Sequence, residues 1–432
     1  MEHTTTESHP RLRRALGRWD LTAIGVNQVI GGAIFLMPSQ VAAQLGNWSP
    51  IAFLCVGLAS LFVALCFAEV GSRFEGTGGP YLYTRAAFGD FVAFEVGWMQ
   101  WFTRVTSQSS VANGLALALA FYWPAMRLGW ARGLLITALT IALGVINARG
   151  IQQTKWVVNA LTISKLLPIA VFIAIGIFFA DWHRLAPLPP LTVPQIAAGG
   201  LLLIFVYGGF DVISVPAGEA KNPRRDVASA FIMTIAIVTT VMTLVQIVTM
   251  TTLANVAKSA TPMADSALAF LGPAGAAIIG VGSVISMTGN NAGQVLTGSR
   301  MLFALAENQA LPKFFGRIHP VYRTPSNAIW FTTIVALALA LSGSFAVLAT
   351  VSAVARLVAY TGVAASTLAL RRPQFLNKVN PATFVIPLGP VIPTLAILVS
   401  LAILAGASRQ QLSGGAAALA AGAVLFGVNR LR

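Results

Sequence analysis

Charged side chains are scarce in this chain. Only 9% of its 432 residues are Asp, Glu, Lys or Arg, against about 25% in soluble globular domains, so an ordinary water-facing surface cannot be built from it. Acidic residues are scarcest, 13 against 28 Lys and Arg. The two cysteines, Cys55 and Cys66, lie in one apolar run. On a helix they are ~16 Å apart, too far for a disulfide. The four histidines are scattered and form no HExxH, so no metal-ligand spacing is present. No Lys follows a Gly, which excludes a GK[ST] phosphate loop and with it an ATP motor. No GxSxG nucleophile elbow occurs either. No cofactor and no metal are expected, and an enzyme is not.

What the chain has in abundance is apolar residues, 56% of the total, enough for about twelve spans of ~20 residues. Long apolar runs alternate with short polar clusters, the pattern of an all-α polytopic membrane protein. The expected spans are 20–44, 50–73, 88–122, 131–149, 155–180, 195–220, 227–253, 276–306, 325–343, 346–370, 384–406 and 412–429. The runs are continuous and too long for tilted barrel strands. The basic N-terminus lacks a short apolar core with a small-residue cleavage site, so the first span reads as retained.

The formal net charge of +15 raises nucleic acid as a partner, but the cations are distributed otherwise. With the N-terminus cytoplasmic, twenty of the 28 Lys and Arg fall on inner segments and five on outer ones. That bias obeys the positive-inside rule and fits an even number of spans with both termini cytoplasmic. The charge describes an orientation in the inner membrane. The expected partners are the lipid bilayer and a small solute; no nucleic acid and no obligate protein partner are implied.

Two spans carry a Gly-Gly pair near their middles: VIGGAIFLMP (Val29–Pro38) in the first and VYGGFDV (Val206–Val212) in the sixth. Glycine in a helix interior costs ~1 kcal/mol relative to alanine and permits local unwinding. Exposed backbone at membrane depth is tolerated only where it lines a cavity or meets a ligand. Close helix packing is the competing explanation for either pair. Their recurrence at equivalent places points instead to two inverted repeats with a midplane site. The expected organisation is a cytoplasmic tail over 1–19, a five-helix repeat over 20–180, a second over 195–370, and two accessory helices over 384–432.

Such breaks create complementary ends. The amides at Gly31, Gly32, Ala33 and Ile34 open a half-helix whose positive end suits a carboxylate. The unwound backbone around Phe205, Val206, Tyr207, Gly208, Gly209, Phe210 and Asp211 ends another and suits an ammonium. A zwitterion satisfies both, which argues for an α-amino acid.

With these motifs stand FAEVGSRFEGTGGPYLY (Phe67–Tyr83), SKLLP (Ser164–Pro168), AGEAKNPRRD (Ala217–Asp226), SRMLFALAENQALPKFF (Ser299–Phe315) and HPVYRTPSNA (His319–Ala328). Together and in this order they resemble the amino acid–polyamine–organocation superfamily of permeases, with the LeuT-type fold, from about Trp19 to Arg372. The resemblance implies secondary active transport of amino acids or related amines by alternating access. Proton-coupled symport is the leading expectation, and an amino acid/amine or amino acid/amino acid exchanger the alternative. Two departures stand out. Ala33 replaces a second glycine common in the family, and Glu307-Asn308-Gln309 replaces the usual Arg-Asp-Gly after span 8.

Ionisable residues inside spans are functional candidates by default. Lys165 matches the lysine that proton-coupled relatives place where sodium-coupled ones hold a cation, so it is the candidate for proton coupling. A fixed tie from span 5 to the unwound part of span 1 is the alternative role. Ser283, Ser286, Asn290 and Asn291 of span 8 are candidates to face the same spot. Arg104, Arg356 and Asp211 lie near the midplane, and two cations against one carboxylate leave the cavity net positive unless Glu95 reaches it. That balance disfavours polyamines and favours neutral or acidic amino acids. Simple pairing of the arginines with Asp211 and Glu95, or a gate, is the competing account.

Overall fold

The structure is a computed structural model, and it describes residues 16–75, 78–149, 155–322, 324–375 and 377–430. Among the described residues there are fourteen α-helices and no strand, only one bridge between Leu16 and Ala220. The helices are α1 (Arg18–Val29), α2 (Ala33–Leu45), α3 (Ser49–Gly71), α4 (Pro80–Phe88), α5 (Asp90–Tyr122), α6 (Gly129–Ala148) and α7 (Lys155–Gly176). They continue as α8 (Val193–Val206), α9 (Pro223–Thr252), α10 (Pro262–Glu307), α11 (Ser326–Ser342), α12 (Phe345–Ala369), α13 (Val391–Ala405) and α14 (Arg409–Arg430). Seven helical stretches are long and apolar enough to cross a membrane, and three shorter apolar helices accompany them. Their outward faces carry large apolar side chains such as Leu54, Leu58, Ile278 and Val281, as hydrocarbon contact requires. This is the architecture of a polytopic membrane protein.

Helix α5 is the exception in composition. Its 33 residues reach ~50 Å, and they include Gln100, Arg104, Ser107, Gln108 and Asn113, all buried. It packs against α10, α12, α11 and α4, so its polar row faces protein rather than lipid. Ser107 and Ser352 share a hydrogen bond of 2.7 Å, and Ser110 donates to the Phe345 carbonyl at 2.7 Å, tying α5 to α12.

Both glycine pairs interrupt a helix, but differently. Helix α1 ends at Val29, Ile30 turns out at φ −75°, ψ 72°, and the chain resumes as α2 at Ala33. Helix α8 ends at Val206, and Gly209 takes φ +122°, a region open chiefly to glycine. The chain then continues as a ten-residue 3-10 helix, Phe210–Glu219. Runs of 3-10 helix beyond three or four residues are uncommon.

Two elements differ from the sequence expectation. Helix α4 lies in a stretch assigned to a loop, although Gly79 at φ +47° followed by Pro80 is an ordinary helix start. The helix containing span 8 begins at Pro262 rather than at 276 and bends at Gly272, where φ is +68°. Residues 262–271 include Asp265 and Ser266 and fall outside the apolar run that defined the span.

At the end of α3, the buried Glu69 carboxylate accepts from Arg371 at 2.7 and 2.5 Å and from the Ile386 amide at 2.9 Å. One carboxylate thus joins α3 to the segments on either side of residue 376. Hydrogen bonding to Glu69 holds the Arg371 guanidinium above its ordinary range, against the opposing effect of burial.

Candidate functional site between the two helix breaks

A cavity of about 20 Å³ lies where the two breaks approach. Gln28, Val29, Gly31, Gly32 and Ala33 line it from the first break, and Phe205 and Gly208 from the second. Ser107 and Val111 of α5, Asn290 and Gln294 of α10 and Arg356 of α12 complete the wall. This volume holds about one water.

The two breaks supply opposite backbone groups. The amides of Gly32, Ala33 and Ile34 precede the first intrahelical bond of α2, whereas those of Gly31 and Phe35 are bonded to Val29 and Gly32. The three open amides face the cavity end of α2 with the positive end of its dipole. Ala33 lines the cavity, while the Ile34 side chain packs in the apolar core. On the other side, the Gly208 amide folds back to Phe205 and that of Tyr207 to Leu203, which leaves the Val206 and Tyr207 carbonyls without an amide donor. Gly208 also has no room for a side chain, because a Cβ there would collide with the Arg356 guanidinium.

The carbonyls at the end of α1 are taken up by three other side chains. Lys165, 4% exposed, donates from Nζ to Asn27 at 3.0 Å and Ile30 at 2.9 Å. Ser286 reaches the Ile30 and Gly31 carbonyls at 3.4 and 3.3 Å, and Asn290 donates to Gln28 at 2.8 Å. Lys165 of α7 and Ser286 of α10 therefore meet at the same carbonyl. A cation at the negative end of a half-helix is the favourable sign.

Around the second break the charges are unevenly matched. Arg104 donates from Nη2 to Asp211 Oδ2, and to Gln100 at 3.3 Å. The second Asp211 oxygen accepts from Tyr360 at 3.4 Å. Arg356, 1% exposed, has a bond from Nη2 to Ser107 at 3.2 Å, while its Nε and Nη1 have no partner. Glu95 does not enter this group; its carboxylate lies against Gly422 of α14. The pairing of Arg356 with Glu95 is therefore absent, and only Arg104 is neutralised.

Several expected site residues point elsewhere. Ser283 donates to its own helix at Gly280 and lines a separate cavity with Phe35, Tyr122 and Met263. Asn291 is buried with neither amide atom bonded. Tyr207 donates to the Phe53 carbonyl of α3 at 2.7 Å, away from the cavity. Phe210 packs at a tilt on Tyr360 and edges Phe67 and Phe231, whereas Phe205 reaches the cavity wall. Outside the expected set, Trp98 and Trp101 of α5 donate to Ala418 and Thr332 and so hold helices together. Gln28, Gln294, Ser107 and Val111 line the cavity but were not anticipated. The spacing of Gln100, Arg104 and Ser107 is a helical stripe of polar residues, and it is the signal that marks Ser107.

Comparison with known proteins agrees with the architecture. Residues 16–426 match the amino acid permease family. The chain is 28% identical over 402 residues to the methylthioribose transporter of Bacillus subtilis (strain 168), covering 89% of this chain and 86% of that one. It is 29% identical to the branched-chain amino acid permease BcaP of the same organism, with 91% and 88% covered. The serine/threonine exchanger SteT, also from that organism, is 29% identical with 91% of each chain covered. With open backbone ends flanking a cavity inside a bundle of apolar helices, and a match along almost its whole length, the chain belongs to the amino acid permease family of the amino acid–polyamine–organocation superfamily: an integral membrane transporter, not an enzyme.

Proposed function

We propose that the protein is a secondary active amino acid permease working by alternating access, with proton-coupled symport as its mode. The observation that carries the substrate class is the pair of backbone ends at the two breaks flanking one cavity: open amides at Gly32, Ala33 and Ile34, open carbonyls at Val206 and Tyr207 beside the lining residues Phe205 and Gly208. A carboxylate on the first and an ammonium on the second describe an α-amino acid. Relatives named for branched-chain amino acids and for serine and threonine support the same class.

In this reading the fold is LeuT-type, with twelve spans. α1 with α2 and α8 with its 3-10 extension are the broken first and sixth. Residues 20–180 and 195–370 are the two five-helix repeats, and 384–432 the accessory pair. The excess of cations on alternate loops supports cytoplasmic termini in the inner membrane. Lys165 is the coupling residue, since loss of its proton to water would leave a neutral amine whose weaker bonds to the Asn27 and Ile30 carbonyls loosen α1 from α7. Exchange without net proton movement is the second reading. It is favoured by the two carbonyl bonds that hold Lys165 in place and by the exchanger among the relatives.

Uptake of a labelled amino acid panel into proteoliposomes, with and without a pH gradient, tests both. Accumulation driven by an inward proton gradient is expected. Flux only against internal amino acid would establish exchange, and no flux of any amino acid would overturn the function.

A further inference from the structure

The proposed amino acid site has a group too many. An α-carboxylate is served by the amides of α2 and an α-ammonium by the carbonyls after α8, yet the cavity also holds a whole cation, Arg356. Four observations isolate it. It is 1% exposed, deep in α12. Its Nε and Nη1 have no hydrogen-bond partner, and its neighbours are the neutral hydroxyls of Ser107, bonded at Nη2, and Tyr360. Asp211 is engaged at both oxygens, by Arg104 and by Tyr360. Glu95, near the start of α5, lies against Gly422 of α14. Among the described residues no carboxylate comes within ion-pair distance of Arg356, while Arg104 beside it has one.

An uncompensated guanidinium buried at membrane depth is strongly unfavourable. Structural use does not account for it either, because Ser107 and Ser352 already tie α5 to α12 without it. Its position does. The guanidinium lies against the Gly208 backbone, in the space a Cβ there would take, so it sits at the second break and lines the same cavity.

Resting on the amino acid reading above, we propose that the substrate carries a second negative group, as an acidic amino acid of the aspartate or glutamate type does, and that Arg356 binds its side-chain carboxylate. The acid neutralises Arg356 on binding, and the loaded site then holds one paired arginine at each carboxylate: Arg104 with Asp211, Arg356 with substrate. An uncharged side chain leaves the buried cation unpaired, so neutral amino acids are selected against by the desolvation they fail to offset. None of the substrates in the relatives' names has this charge.

The test is competition and direct uptake in proteoliposomes with labelled glutamate and aspartate against their isosteric amides, glutamine and asparagine. The acids are expected to be preferred by about tenfold or more, the margin of one charge-assisted pair. In Arg356→Gln the acid-to-amide ratio falls by about a hundredfold as the favourable pair is lost and the amide is no longer penalised. Arg356→Lys keeps a weakened acid preference, because the charge remains and the planar donor set does not. A wild-type preference for the amides overturns the proposal, as does an Arg356→Gln protein that loses acids and amides in equal measure, which would put Arg356 at the α-carboxylate or in the fold. The wild-type ratio and the Lys variant decide the matter if the Gln variant does not fold. Uptake of neutral amino acids alone sinks this assignment and leaves amino acid transport standing; no uptake of any amino acid removes both.

Discussion

The two helix breaks begin from the same pair of residues and end as different devices. At the first, the gap is three residues and the helix resumes as α-helix. Its loose carbonyls are held by Lys165, Ser286 and Asn290, arriving from α7 and α10. At the second, the helix never properly resumes. A 3-10 segment follows, whose own Asp211 is held by Arg104 and Tyr360 from α5 and α12, with Arg356 left over. Backbone charge at the first break is compensated by donors; at the second, full charges are arranged around backbone. A Gly-Gly pair therefore specifies only that a helix opens. The neighbouring helices decide what the opening is for.

Removing Asp211 is the most damaging way to break this contrast. Asp211→Asn leaves both Arg104 and Arg356 unpaired at the second break, and loss of one partner of a buried pair costs about 3–5 kcal/mol. A large drop in thermal midpoint in detergent and loss of uptake are expected, and adding Arg104→Gln should restore much of the stability but not the transport. If Asp211→Asn melts like the parent, the second break is not held by charge.

Lys165→Ala comes next. It strands the Asn27 and Ile30 carbonyls and removes the coupling candidate, so accumulation driven by a pH gradient should vanish while counterflow persists at a reduced rate. Unchanged gradient-driven accumulation would remove Lys165 from coupling and leave the first break a purely structural joint. The smallest effect belongs to Ser286→Ala. Its two long bonds share carbonyls already served by Lys165 or lying at the gap, and a neutral hydrogen bond contributes about 0.5–1.5 kcal/mol. A shift of a few degrees at most in melting temperature is expected, with transport retained. A loss as severe as that of Lys165→Ala would mean that the first break depends on its hydroxyl rather than its cation.

How much of this could be read from the sequence follows the same division. Apolar runs locate the helices, because hydrocarbon tolerates little else, and the glycine pairs locate the breaks, because nothing else in a span permits them so readily. Lys165, Arg104, Arg356 and Asp211 stand out for the cost of burying charge. Direction is harder. Ser283 and Ser286 lie one turn apart on α10, yet one bonds its own helix and the other reaches the first break. Tyr207 sits at the second break with its hydroxyl on α3. Gln28 and Gln294 are uncharged amides in apolar surroundings, and only packing brings them to the cavity. Helix α4 had a readable start in Gly79-Pro80, but a window tuned to apolar length passes over a nine-residue helix.

The lone bridge between Leu16 and Ala220 bears on the motion of the whole molecule. Leu16 leads into α1, Ala220 follows the 3-10 segment, and the Lys221 amide donates to the Leu16 carbonyl at 2.8 Å. The ends of both broken helices that lie away from their breaks are thus linked main chain to main chain, a joint that side-chain substitution leaves intact. Displacing either helix at that end pulls on its counterpart, so the two sides of the candidate site are mechanically yoked away from the cavity.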